Sequence, residues 1–131
     1  MWQGCVRHAT ITTMRVCVIV AYAKDNIDKA TLGLTLANAA VTAGEQISVV
    51  LISEGVRLAV QGYADGIDYG EPFKPMQELV AGVLKGGEVS AHRPCMKKRG
   101  ISEEFLLPGV RLVGGADVIR LIGQADRSLQ L

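Results

Sequence analysis

Two apolar runs limit what this chain can fold into more than any other feature. Residues 15–22 read Arg-Val-Cys-Val-Ile-Val-Ala-Tyr and residues 46–53 read Gln-Ile-Ser-Val-Val-Leu-Ile-Ser. Both are rich in β-branched side chains with little polar alternation, the pattern of strands buried on both faces. The polar turn between them, residues 23–28, holds side chains that bond their own backbone, and Asp25 or Asp28 is positioned to cap the next element. A helix is then expected over 29–43. Leu32, Leu36 and Ala40 together with Leu34, Ala37 and Val41 form its apolar stripe, kept thin by Gly33, Ala37 and Ala40, and Gly44 ends it in the left-handed conformation. Strand, helix and strand at this spacing make a right-handed parallel βαβ unit.

The remaining chain continues the alternation. A short helix is expected at 56–60, then a long irregular connection over 62–75 of the kind that serves as a lid or subunit contact, its rings Tyr63, Tyr69 and Phe73 read as packing anchors. Pro75 opens a helix whose inward face is Met76, Leu79, Val80, Val83 and Leu84, and Gly86-Gly87 stops it. A third strand over 88–92, a short helix opened by Ser102-Glu103-Glu104, a fourth strand over 110–113, a final helix over 116–124 and a short edge strand over 127–131 complete the order of elements. In that final helix Val118, Leu121 and Ile122 face inward. The 131 residues suit a single α/β domain over 14–131, and residues 1–13, which lack a clear period, read as a poorly ordered extension.

The candidate chemistry lies just past the third strand. Cys95 sits among Arg93, Lys97, Lys98 and Arg99, fenced by Pro94 and Gly100. Cations near a sulfur favour thiolate over thiol and so favour reactivity. A small buried cysteine beside a solvated cationic surface would look the same in sequence. The strand-end placement brings Cys95 to the same sheet edge as residues 24–28 and the loop Ser53-Glu54-Gly55, the edge where open α/β sheets bind ligands. Cys17 reads as a core thiol, and Trp2 and Cys5 receive no role. His92 with Cys95 is half a metal site, and with His8 as the one other histidine, metal binding is not expected. A net charge of +1 argues against nucleic acid or an anionic membrane as partner. Three cysteines without disulfide spacing point to a reducing cytoplasm, and no apolar run is long enough to cross a bilayer. No glycine-rich nucleotide motif stands at a strand-to-helix turn.

The order of features resembles the DsrE/DsrF family of sulfur-handling proteins, which includes the TusBCD sulfur-relay subunits. The resemblance rests on the opening strand with residues 24–34, the join at 43–51, the loop Gly55-Val56-Arg57-Leu58-Ala59, and the segment from Cys95 to Gly100 with its short helix. It implies a three-layer α/β/α sandwich with a mostly parallel five-stranded sheet, assembled as trimers or hexamers, with no cofactor. It also implies an intracellular sulfurtransferase or carrier in which Cys95 holds sulfane sulfur as a persulfide, exchanged with a protein donor or acceptor. Arg93, Lys97, Lys98, His92 and Glu54 would make up the binding set. Where relatives often carry a second cysteine three residues earlier, this chain has His92, which puts disulfide chemistry within the chain in doubt. The alternative is a non-catalytic anion-binding or assembly module with an incidental cysteine, and a thiol redox sensor is a third reading.

Overall fold

The computed structural model describes residues 13–131, so the expectations for Trp2, Cys5, His8 and the extension lie outside the described residues save for its last position. Strand β1 (Arg15–Val20) pairs in parallel with β2 (Gln46–Leu51), Arg15 opposite Gln46 and Val20 opposite Leu51. This is the expected βαβ core. Both strands stop short of their apolar runs: Ile52 N makes the last ladder bond to Val20 O at 3.0 Å, after which Gly55 N donates to Ile52 O at 2.8 Å and Ala23 N donates to Asp25 Oδ1, turning the chain at both strand ends.

Helix α1 (Ile27–Thr42) differs from expectation at its cap and in its stripe. Asn26, not Asp25 or Asp28, caps it by accepting from Lys29 N at 3.1 Å. Its buried residues are Ala30, Thr31, Gly33, Leu34 and Ala37, while Leu32 and Leu36 remain 36% and 39% exposed. The cause is close approach: a Cβ on Gly33 would stand 3.0 Å from Val20 Cγ2, so the helix lies on its small residues and turns the two leucines to its flank. Gly44, at φ +86°, ends the helix as expected.

Helix α2 (Met76–Gly86) buries Met76, Leu79, Val80 and Val83 and leads into β3 (Glu88–His92). Helix α3 (Arg93–Lys98), β4 (Arg111–Val113), α4 (Gly115–Gln124) and β5 (Arg127–Gln130) follow. The sheet order is β4-β3-β2-β1-β5 and every pairing is parallel. Right-handed crossovers then dictate the layers. The chain steps one way from β1 to β2 to β3, placing α1 and α2 on the face that carries Val18, Val20, Val49, Leu51, Val89 and Ala91. It steps back from β4 to β5 and so places α4 on the other face, where Val118, Leu121 and Ile122 pack on Cys17, Ile19 and Val50. The result is a three-layer α/β/α sandwich. No described helix is long and apolar enough to cross a membrane.

Residues 62–75 form turns without a helix or strand. Tyr63 packs against the core and its hydroxyl accepts from Lys24 N at 3.2 Å, with Lys24 Nζ 4.6 Å from its ring centre. Tyr69 and Phe73 pair with each other at 5.6 Å between centroids.

Candidate functional site

Strand β3 passes into α3 with no linker, since His92 is both the last residue of the strand and the cap position of the helix. Cys95, expected just past the third strand, is there and on the first turn of a helix. Pro94 explains this: in a first turn its missing N–H has no bond to lose and its fixed φ is already helical. Six residues are too few to hold a helix by their own propensity. Tertiary anchors hold it instead. Met96 is 1% exposed in the core, and Gly100, at φ +67°, closes the end while Arg99 N and Ile101 N donate to Met96 O at 3.0 Å.

Cys95 is half-buried, and its Sγ lies 3.1 Å from His92 Nδ1. The strand-to-helix bend at this three-residue spacing brings the imidazole over the thiol. Neutral imidazole can accept the thiol proton at Nδ1, and imidazolium can donate to the thiolate that results.

The expected cations are arranged differently from a ring about the sulfur. Arg93 Nε reaches Glu103 at 3.6 Å across exposed surface. Lys97 and Lys98 are exposed on the last turn, where positive charge suits the negative end of the helix. Arg99 turns inward: its Nε donates to Glu54 Oε2 at 2.5 Å and its guanidinium donates to the Cys95 carbonyl at 3.1 Å. Among the described residues, His92 alone makes a hydrogen-bond contact with Sγ.

Glu54 lies in the 3-10 segment Ser53–Ala59 that follows β2. Ser53 enters it at φ +49°, and Gly55 lies so close to the end of β1 that a Cβ there would be 2.1 Å from Val20 O. Both Glu54 oxygens are engaged, Oε2 by Arg99 and Oε1 by Arg57 Nε at 2.8 Å. Hydrogen bonds from Arg99 and then Arg57 hold its carboxyl below the usual glutamate range. The structure thus gives Glu54 to the scaffold beneath Cys95. Ser102, read as a cap, makes no side-chain bond to the 3-10 turn Glu103–Phe105.

Cys17 is 0% exposed, and burial pushes its thiol pKa up. Among the described residues no three His, Cys, Asp or Glu side chains converge as a metal site requires. A cavity of about 420 Å³ opens at the opposite sheet edge between Arg15, Gln46, Glu88 and Gln124, away from Cys95. Sequence reasoning missed two contacts at the site. The His92–Cys95 contact had a signal in Pro94, which marks a helix start; Arg99–Glu54 spans 45 residues and had none.

The model of the DsrE/DsrF-like family matches residues 14–131. An uncharacterized protein of Methanopyrus kandleri is 30% identical over 111 residues, covering 85% of this chain and 88% of that protein. An uncharacterized protein of Methanocaldococcus jannaschii is 30% identical over 115 residues, covering 86% and 96%. In fold, the chain is similar to the YchN protein of E. coli, with a TM-score of 0.72 and 21% identity, covering 92% of this chain and all of the other. A protein of unknown function from Methanobacterium thermoautotrophicum gives a TM-score of 0.65 at 17% identity, again over 92% of this chain and all of the other.

Proposed function

Because this chain belongs to the DsrE/DsrF-like family, a family of sulfur-relay proteins, we propose that it is a cytoplasmic sulfur carrier that holds sulfane sulfur on Cys95 and passes it to a protein partner. The observation that carries this reading is the half-exposed Cys95 with its Sγ 3.1 Å from His92 Nδ1, at the carboxyl edge of the sheet.

His92 takes the proton of the Cys95 thiol. The thiolate attacks the outer sulfur of a donor persulfide R–S–SH; a Cys95 S–S bond forms, the donor S–S bond breaks, and R–S⁻ leaves with the electron pair. An acceptor thiolate then attacks the outer sulfur of the Cys95 persulfide and Cys95 departs as thiolate. Neither step consumes an oxidant or a reductant. Lys97 and Lys98, exposed on the same short helix, and Arg93, paired with Glu103 across exposed surface, offer positive charge to an approaching persulfide anion or to an acidic partner surface. A trimer or hexamer is the assembly in which we expect it to work.

The test is mass spectrometry of the full chain after incubation with thiosulfate, polysulfide or a loaded cysteine desulfurase. A gain of about 32 Da on the Cys95 peptide, absent in Cys95→Ala, is the expected result. No gain with any of the three donors overturns the proposal.

A further inference from the structure

We infer that Glu54 and Arg99 are positioning residues for Cys95, bridging the end of β2 to the backbone of α3 so that the thiol stays against His92. The inference rests on Cys95 being the sulfur-bearing residue and adds what holds it there.

Helix α3 has six residues and cannot fix its own orientation. Met96, buried to 1% exposure, sets its depth, but one side chain in a core is a pivot and leaves rotation about it free. The Arg99 fork supplies a second fixed point. It donates through one nitrogen to the Cys95 carbonyl and through another to Glu54, joining the backbone of the reactive residue to a different element. A lysine, with a single nitrogen on a flexible stem, lacks the planar fork that holds both bonds in one geometry.

The far end of this bridge is itself held. Glu54 is held at its other oxygen by Arg57, and the neighbouring Gly55 is packed so tightly on Val20 that the segment cannot slide toward the sheet. Cys95 is thus referenced to the sheet twice, through β3 by way of His92 and through β2 by way of Glu54. Removing the second reference lets α3 pivot and opens the contact between Sγ and Nδ1, which depends on the relative angle of strand and helix.

The test uses the full chain and a neutral probe, iodoacetamide, with the rate of Cys95 carbamidomethylation followed by peptide mass. Arg99→Met and Glu54→Gln are each expected to slow the wild-type rate about tenfold, as a small displacement of a reacting pair does. His92→Ala is expected to slow the wild type about tenfold but to add less than about twofold in the Arg99→Met background, because the pair is already separated. A merely stabilising role for Arg99 would lower the melting temperature and leave the full His92 effect in place. Should Arg99→Met fail to fold, Glu54→Gln, which retains the shape of the side chain, carries the same comparison with His92→Ala. Rates and His92 dependence that stay within about twofold of wild type overturn the inference. Because iodoacetamide needs no sulfur donor, absent sulfur loading with the coupling intact removes only the carrier reading. Normal loading without the coupling removes only this one.

Discussion

Replacing Gly55 by alanine tests how tightly the platform beneath the site is set. The added Cβ would lie 2.1 Å from Val20 O and 2.9 Å from the Val20 carbonyl carbon, both backbone atoms with no rotamer to offer. The segment must retreat by roughly 1.3 Å to reach ordinary contact, since attraction gives way to steep repulsion at shorter range. Retreat strains Ile52 N to Val20 O and Gly55 N to Ile52 O, now 3.0 and 2.8 Å. Gly55 is not in the left-handed region, so alanine brings no backbone penalty and the effect is one of contact alone. Overpacking costs about 1–3 kcal/mol and one lost hydrogen bond about 1 kcal/mol, which together give a loss of about 2–4 kcal/mol. With a urea dependence of about 1–3 kcal/mol per molar, the unfolding midpoint falls by about 0.7–4 M. Circular dichroism in urea reads it directly. Gly123→Ala is the control: nothing lies within 4 Å of its Cβ, it is helical, and alanine there should raise stability by about 0.5–1 kcal/mol. A Gly55→Ala midpoint equal to wild type would refute the close-approach reasoning.

Gly82→Ala sets two effects against each other. Alanine favours the helix by about 1 kcal/mol, but its Cβ would meet Asn38 Oδ1 at 2.1 Å and dislodge the Asn38 amide from Leu34 O and Leu79 O. Two bonds at about 1 kcal/mol each outweigh the propensity, so the variant should be less stable by about 1 kcal/mol, and Asn38→Ala added to it should recover stability in urea melts. Cys17, whose folded-state pKa is raised by burial, contributes stability that is complete below the unfolded thiol value of about 8.5 and is lost as pH rises toward the folded one. Urea unfolding between neutral and alkaline pH should therefore fall more steeply for wild type than for Cys17→Ala. Glu54 has the opposite sign: its folded pKa is lowered, first by Arg99 and then by Arg57, so its contribution is present above the ordinary glutamate value and disappears as pH falls through the folded one. Glu54→Gln should flatten that part of the acid unfolding curve, and an unchanged curve would count against the paired carboxylate.

The central strands were legible because β-branched runs with no polar alternation suit a parallel sheet covered on both faces, and β1 and β2 lie within the expected runs. The face of α1 was not. Leucine spacing draws the eye to Leu32 and Leu36, yet close packing is decided by where a backbone can approach, and Ala30, Gly33 and Ala37 permit it. At the site, Cys95 could be found from its position after the third strand, and His92 could be noticed but not weighed. Whether two side chains three residues apart meet depends on the bend between strand and helix. The cationic residues show the boundary most clearly. Arg93, Lys97, Lys98 and Arg99 look alike in a charge run, while in the fold one meets Glu103, two remain exposed on the helix surface and one turns beneath Cys95 to Glu54. Only the three-dimensional path of the chain separates them.

The direct passage from β3 into α3 makes the segment intolerant of length though tolerant of much else. Each residue advances a helix by about 100°, so one residue added between His92 and Cys95 would swing the sulfur to another side of the cylinder while Met96 lost its berth. Rim side chains such as Lys97 and Lys98 can be exchanged without disturbing that spacing. The charge of the rim is thus open to change, but insertions at this joint are closed to the molecule.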